Sequence, residues 1–149
     1  MREWRVLHLN TFTNKDNLSY PHYQCHKDLQ KLGIPSVVVS AEGDLKEDGV
    51  IILSRFRIVP IFISKLIRKV VFSGFLKISK IYFFPEWNLD RIKSKHIIKR
   101  LEFNPTVIMV YWTKLAFNFD IIHELSRHYG AEVILCPLDM AHLTGGCHW

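Results

Sequence analysis

The chain alternates short apolar runs with longer amphipathic ones. Val6-Leu7-His8-Leu9 is largely apolar and passes into polar Asn10-Thr11, the pattern of a buried strand that delivers a loop to a sheet edge. A helix is predicted from about Asn17 to Leu32, stopped by Gly33 and followed by Pro35. Ser36 to Ser40 (SVVVS) reads as a β-branched strand, and Val50 to Leu53 as another, set off by Gly49. Helices are expected over Ile58 to about Ile81, with a break near Gly74, and over Leu89 to Glu102, ended by Asn104-Pro105. Thr106 to Trp112 (TVIMVYW) is a continuous apolar strand, and Phe119 to Tyr129 is a helix closed by Gly130. Glu132 to Leu138 is expected as the last buried strand.

Strands that are apolar on both faces and alternate with helices predict an α/β fold, a Rossmann-like, mostly parallel sheet with helices on both faces. In such a sheet ligands sit beyond the carboxyl ends of the strands. Asn10-Thr11, Trp112-Thr113 and Asp139 to Trp149 are expected at that margin, where three polar loops would converge.

Composition narrows this picture. At 149 residues, 48% hydrophobic and 23% charged, residues 1–149 make one globular domain with a real core and exclude a disordered chain. The formal net charge of +6 favours an anionic partner: a membrane surface, nucleic acid or a phosphorylated substrate. Cys25, Cys136 and Cys147 are odd in number and scattered, which argues for a reducing compartment and against a disulfide framework. Met1 to Trp4 runs straight into a strand-like segment, so no secretory signal is read and a cytoplasmic location is expected.

The charge is unevenly placed. Gly49 to Pro85 holds no Asp or Glu and seven of the 20 cations. At about 100° per residue, Lys65, Arg68, Lys69, Lys77 and Lys80 share one half of a helical wheel, while Ile63, Ile67, Val70, Val71, Phe75, Ile78 and Ile81 fill the other. That is the pattern of a helix lying on anionic lipid at the inner membrane face. The other reading is a helix packing its apolar half on the sheet with its lysines in solvent. Five cations exclude a transmembrane span. Nucleic-acid binding rests on net charge alone, with no recognition helix or aromatic RNA-binding motif, and is not expected.

Candidate chemistry concentrates at the end of the sequence. Asp139 could hydrogen-bond a sugar hydroxyl or act as a general base towards an acceptor nucleophile; as an Asx-type cap it would only accept N–H bonds from the following turn. Thr144-Gly145-Gly146 offers a hydroxyl and a backbone able to approach a ligand or form an anion-binding nest. It is neither a P-loop nor a dinucleotide fingerprint. Cys147-His148 lacks the second ligand pair of a zinc site, so no metal is assigned. His148 and Trp112 could contact a sugar, and Tyr111 and Trp112 serve equally as core aromatics. His8, inside a strand, reads as a buried, hydrogen-bonded histidine.

Asn104 to Trp112, a helix, Asp139-Met140-Ala141 and then Leu143-Thr144-Gly145-Gly146-Cys147-His148-Trp149 resemble the amino-terminal half of glycosyltransferase family four enzymes of GT-B fold. The opening, Val6 to Phe12, with a helix closing on Leu29 to Ile34, is similar to that family's first strand and helix. The chain departs from the family in lacking a glycine between Thr13 and Tyr23, and in carrying Leu138, Met109 and Tyr111 where His is frequent.

The resemblance implies an acceptor-side domain facing a carboxyl-terminal domain that this sequence does not contain and that would hold the nucleotide-sugar. It implies a sugar transferred to a glycan or lipid-linked acceptor in polysaccharide biosynthesis, with retained configuration and no cofactor or metal. Asn10, Thr11, Trp112, Thr144, Gly145, Gly146 and His148 would contact substrate, Asp139 would assist the chemistry, and the chain alone would be inactive. The alternative expectation is a non-catalytic peripheral membrane module related to such enzymes.

Overall fold

The computed structural model describes residues 3–53, 92–111, 117 and 119–136. Five strands and three helices are defined there: β1 (Val6–Thr13), α1 (Pro21–Lys31), β2 (Ser36–Gly43), β3 (Val50–Ile52), α2 (Ser94–Ile98), β4 (Val107–Val110), α3 (Phe119–Tyr129) and β5 (Glu132–Leu135). The strands form one sheet in the order β3-β2-β1-β4-β5, and every neighbouring pair is parallel. The expected α/β, Rossmann-like arrangement is therefore present. The order runs outward in one direction through β2 and β3 and in the other through β4 and β5, so it reverses between β1 and β4. Among the described residues no helix is long and apolar enough to cross a membrane.

Several boundaries differ from the sequence reading, each for a physical reason. The first helix begins at Pro21, not near Asn17; Lys15–Asn17 forms a separate 3-10 turn. Proline disfavours helical geometry in the residue before it, and Tyr20 is accordingly extended at φ −67° and ψ 140°. At the first helical position the missing N–H of Pro21 costs nothing.

β1 does not stop at Leu9 but runs through Thr13, because β2 also runs on and pairs with it, Asn10 opposite Ser40 and Thr13 opposite Gly43. That approach requires glycine: a Cβ at Gly43 would sit 2.1 Å from the Thr13 carbonyl oxygen. Of the helix expected over 89–102, residues 92–102 are described, and there α2 covers Ser94–Ile98. Among the described residues β5 pairs with β4 alone and is exposed along its length, not buried, with Val133, Ile134 and Leu135 each about 40% accessible.

The two faces of the sheet are built from different chemistry. On one, Leu7 and Leu9 of β1, Val39 and Ala41 of β2 and Ile108 and Val110 of β4 pack with Ile97 of α2 and Ile121, Ile122 and Leu125 of α3. Alternation places the intervening residues on the opposite face. There α1 covers His8, Asn10, Ser36 and Ser40, all at most 6% exposed.

Candidate functional site

The polar face under α1 gathers three histidines, each fully buried: His8 from β1, and His22 and His26 one helical turn apart on α1. His8 Nδ1 lies 3.2 Å from the Tyr111 hydroxyl, and its Nε2 lies 2.9 Å from Ser36 Oγ. Ser36 Oγ is also 2.9 Å from His26 Nδ1. A hydroxyl has a single proton to give, so Ser36 donates to one imidazole and accepts from the other.

The surroundings choose the direction. His26 Nε2 is buried against Gly49 and the Asp48 main chain without completing a hydrogen bond. An N–H pointing towards a carbonyl is favoured there over a bare lone pair. The relay therefore runs Tyr111 O–H to His8 Nδ1, His8 Nε2–H to Ser36, and Ser36 O–H to His26 Nδ1. Gly49 permits the close fit, at φ 76° and with space for a Cβ only 2.8 Å from the His26 ring.

His22 stands at the other end of the cluster. Its Nε2 accepts from the Asn10 amide at 3.2 Å and lies 3.0 Å from Thr13 Oγ1, which in turn meets Ser40 Oγ at 2.5 Å. Its proton is thereby placed on Nδ1, buried without a partner among the described residues. The Tyr111 ring ties both ends together, stacked on His8 at 5.7 Å between centroids and tilted against His22 at 5.9 Å.

Burial holds these groups neutral. It pushes His8 down to about 3, aided by the nearby imidazoles of His26 and His22. His22 falls to about 4, by burial first and His26 second. His26 is lowered by burial and then by Lys27, with the Asp48 main chain and the Glu47 and Asp48 carboxylates opposing. The Tyr111 hydroxyl is pushed well above its ordinary value by burial and by the Cys25 and Cys136 thiols beside it. Cys136 is itself raised by burial and by Cys25.

An outer clasp closes the helix over this layer. Tyr23 donates to Glu47 at 2.6 Å and Lys27 pairs with the same carboxylate at 2.9 Å. Hydrogen bonds from both hold Glu47 below the usual carboxylate range.

Of the residues expected to contact substrate, assist the chemistry or lie on lipid, the structure describes two. Asn10 and Thr11 lie inside β1 and are buried, not in a loop beyond it. The Asn10 amide is engaged by the Phe12 carbonyl at 2.5 Å and by His22. They sit at the carboxyl end of β1 beside Tyr111, which directly follows β4, and so at the reversal of strand order. Trp112, Asp139, Thr144, Gly145, Gly146 and His148 lie outside the described residues, as do Lys65, Arg68, Lys69, Lys77 and Lys80.

The convergence of three loops thus reduces, among the described residues, to the juxtaposed ends of β1 and β4. Sequence reasoning found His8 but missed its partners. The spacing of His22 and His26, four apart on a predicted helix, was the signal available. Among the described residues no group of three or more His, Cys, Asp or Glu is placed to hold a metal ion. A shallow dent lined by Glu3, Trp4, Thr106, Val107 and Glu132 lies at the opposite margin, by the amino ends of β4 and β5.

Comparison with known proteins adds no relative: no family model, no curated protein and no solved structure matches the chain.

Proposed function

We propose that the chain is the acceptor-side, Rossmann-like half of a retaining GT-B glycosyltransferase that moves a sugar from a nucleotide-sugar to a glycan or lipid-linked acceptor. The observation that carries the reading is the all-parallel sheet whose order reverses between β1 and β4. In open sheets of this kind ligands bind outside the carboxyl ends of the strands at that switch point. The chain brings polar Asn10 to Thr13 to this place, and next in sequence after Tyr111 comes Trp112. The resemblance of Asp139 to Trp149 to the family's Asp-Met and Thr-Gly-Gly-Cys-His elements supplies the chemistry: a carboxylate to orient the acceptor hydroxyl, and a glycine turn to admit substrate. The nucleotide-sugar would be held by a second domain.

The test has two parts. The 149 residues alone are expected to turn over no member of a nucleotide-sugar panel. The coding sequence beyond Trp149 is expected to specify a second α/β domain with an acidic pair seven residues apart. Turnover by the isolated chain, or a downstream frame without that domain, overturns the reading. In the joined protein Asp139→Asn is expected to lower kcat by roughly 10²-fold or more; an unchanged kcat removes Asp139 from the chemistry.

The run of seven cations without an acid between Gly49 and Pro85 supports a peripheral attachment to anionic lipid on the cytoplasmic face. Each cation near such a surface contributes about 1 kcal/mol. Co-sedimentation with phosphatidylserine vesicles should fall steeply with salt and be lost on reversing Lys65, Arg68 and Lys69. Binding unaffected by those reversals ends that part of the proposal.

A further inference from the structure

The hydrogen-bond logic under α1 favours one arrangement in which every ring is neutral. His8 and His22 each present a bare nitrogen to a donor: Tyr111 O–H to the first, the Asn10 amide to the second. His26 presents its bare Nδ1 to Ser36. Adding a proton to any one ring sets two donors face to face.

For His26 the conflict falls on Ser36. Its hydroxyl must turn away from His26 Nδ1, either to accept from both rings with its own proton unpaired, or to donate to His8 Nε2 while His8 moves its proton to Nδ1 and Tyr111 turns its hydroxyl to the Met109 sulfur 3.7 Å away. A single proton thus costs the layer a hydrogen bond or reverses the relay. A second proton would put like charges side by side in a buried layer. Among the described residues no carboxylate lies within the layer to balance charge, and the acids facing His26 are Glu47 and Asp48 at its rim, opposed by Lys27. Around His8 and His22 the facing groups are Tyr111, Ser36, Thr13, Asn10 and Tyr20, with the Cys25 and Cys136 thiols beside Tyr111.

Among the described residues the buried cluster on the opposite face has no such dependence. That cluster of Leu, Ile, Val, Ala and Phe carries no titratable side chain. The two sides of one sheet therefore answer acid differently.

We infer that α1 is an acid-opened latch: protonation of its sheet-facing histidines releases Pro21–Lys31 from β1 and β2 while the face packed with α2 and α3 keeps the sheet folded. Release uncovers Asn10, Thr13, Ser36 and Ser40, the polar margin at the switch point. The Glu47 clasp lies at the rim, where Tyr23 and Lys27 hold that carboxylate below its usual range. The inference stands whether or not the chain is a transferase.

Hydrogen–deuterium exchange of the 149-residue chain, read by mass spectrometry across a pH series from 7.5 to 4.5 and corrected for intrinsic rates, tests it. Peptides from residues 21–31 should lose protection as a step on acidification, while those from 119–129 and 107–110 keep theirs. Simultaneous loss from α1 and α3, or α1 protection retained to pH 4.5, overturns the latch. His26→Gln, with one proton acceptor fewer, should open about half a pH unit lower. His123→Gln with His128→Gln, both exposed on α3, should leave the midpoint where it was. A midpoint that follows the α3 pair instead also overturns it. Should His26→Gln fail to fold, His22→Gln makes the same test, and the wild-type comparison of α1 with α3 decides without either.

Discussion

Beneath α1 the sheet presents His8, Asn10, Ser36 and Ser40; on its other side the same strands present Leu7, Leu9, Val39 and Ala41. Both layers are buried, yet they are held by different forces. The apolar layer gains from area removed from water and from close packing, which are non-directional and indifferent to pH. The polar layer had to be desolvated, and each donor and acceptor recovers that cost only by meeting a partner in the correct protonation state. One face therefore tolerates repacking and the other specifies a single arrangement. The cost of that specification is sensitivity to protons.

The largest expected effect separates the faces by pH. A histidine with a depressed folded value contributes stability above its unfolded value near 6.5, because below that point only the unfolded chain takes up the proton. The contribution is lost as pH falls from about 6.5 towards about 4 for His22 and about 3 for His8. At pH 5 that is on the order of 2 kcal/mol for each ring that stays neutral when folded. Urea unfolding followed by circular dichroism should thus show a steep drop between pH 7 and 5, and a flat profile would contradict it.

Leu125→Ala, in the apolar layer, is expected to cost about 3 kcal/mol, and to cost the same at pH 7.5 and pH 5.5. A pH-dependent penalty would mean that the two faces are coupled. Ser36→Ala removes the hydroxyl shared by His8 and His26 and leaves two imidazole nitrogens unpaired, a loss of about 2 kcal/mol at pH 7.5. That penalty should shrink as the rings become protonated in acid. Tyr23→Phe opens only the outer clasp to Glu47 and should cost about 1 kcal/mol in the same unfolding assay. A larger loss would place the holding force on the rim and not in the buried relay.

The apolar face was the legible one. Val6 to Leu9, Ser36 to Ser40, Thr106 to Val110 and Phe119 to Tyr129 announce strands and a helix by periodicity, and the parallel sheet follows from their alternation. Periodicity also carried the other face, in the Ser36 and Ser40 that bracket three valines, but serine at a strand end reads as a boundary until its partner is known. What fills the space between strand and helix depended on pairings far apart in sequence: His8 with Tyr111, His8 with Ser36, and Ser36 with His26. No local pattern encodes those. The helix start was misjudged for a local reason that was visible, the Tyr20-Pro21 step. The extension of β1 over Asn10 to Thr13 was not visible, because polar residues there are stabilised by the β2 register and by the lack of a side chain at Gly43. As for the candidate site, Asn10 and Thr11 were identified correctly as belonging to the end of β1, but as a loop and not as a buried strand.

The central claim is that His8, His22 and His26 are neutral donors and acceptors in a polarised relay. Long-range ¹H–¹⁵N NMR of the imidazole nitrogens between pH 7.5 and 5.5 reads this directly. The account predicts neutral rings throughout, with the proton on Nε2 in His8 and His26 and on Nδ1 in His22. Titration of the three buried rings within that range, in a protein that stays folded, would contradict it.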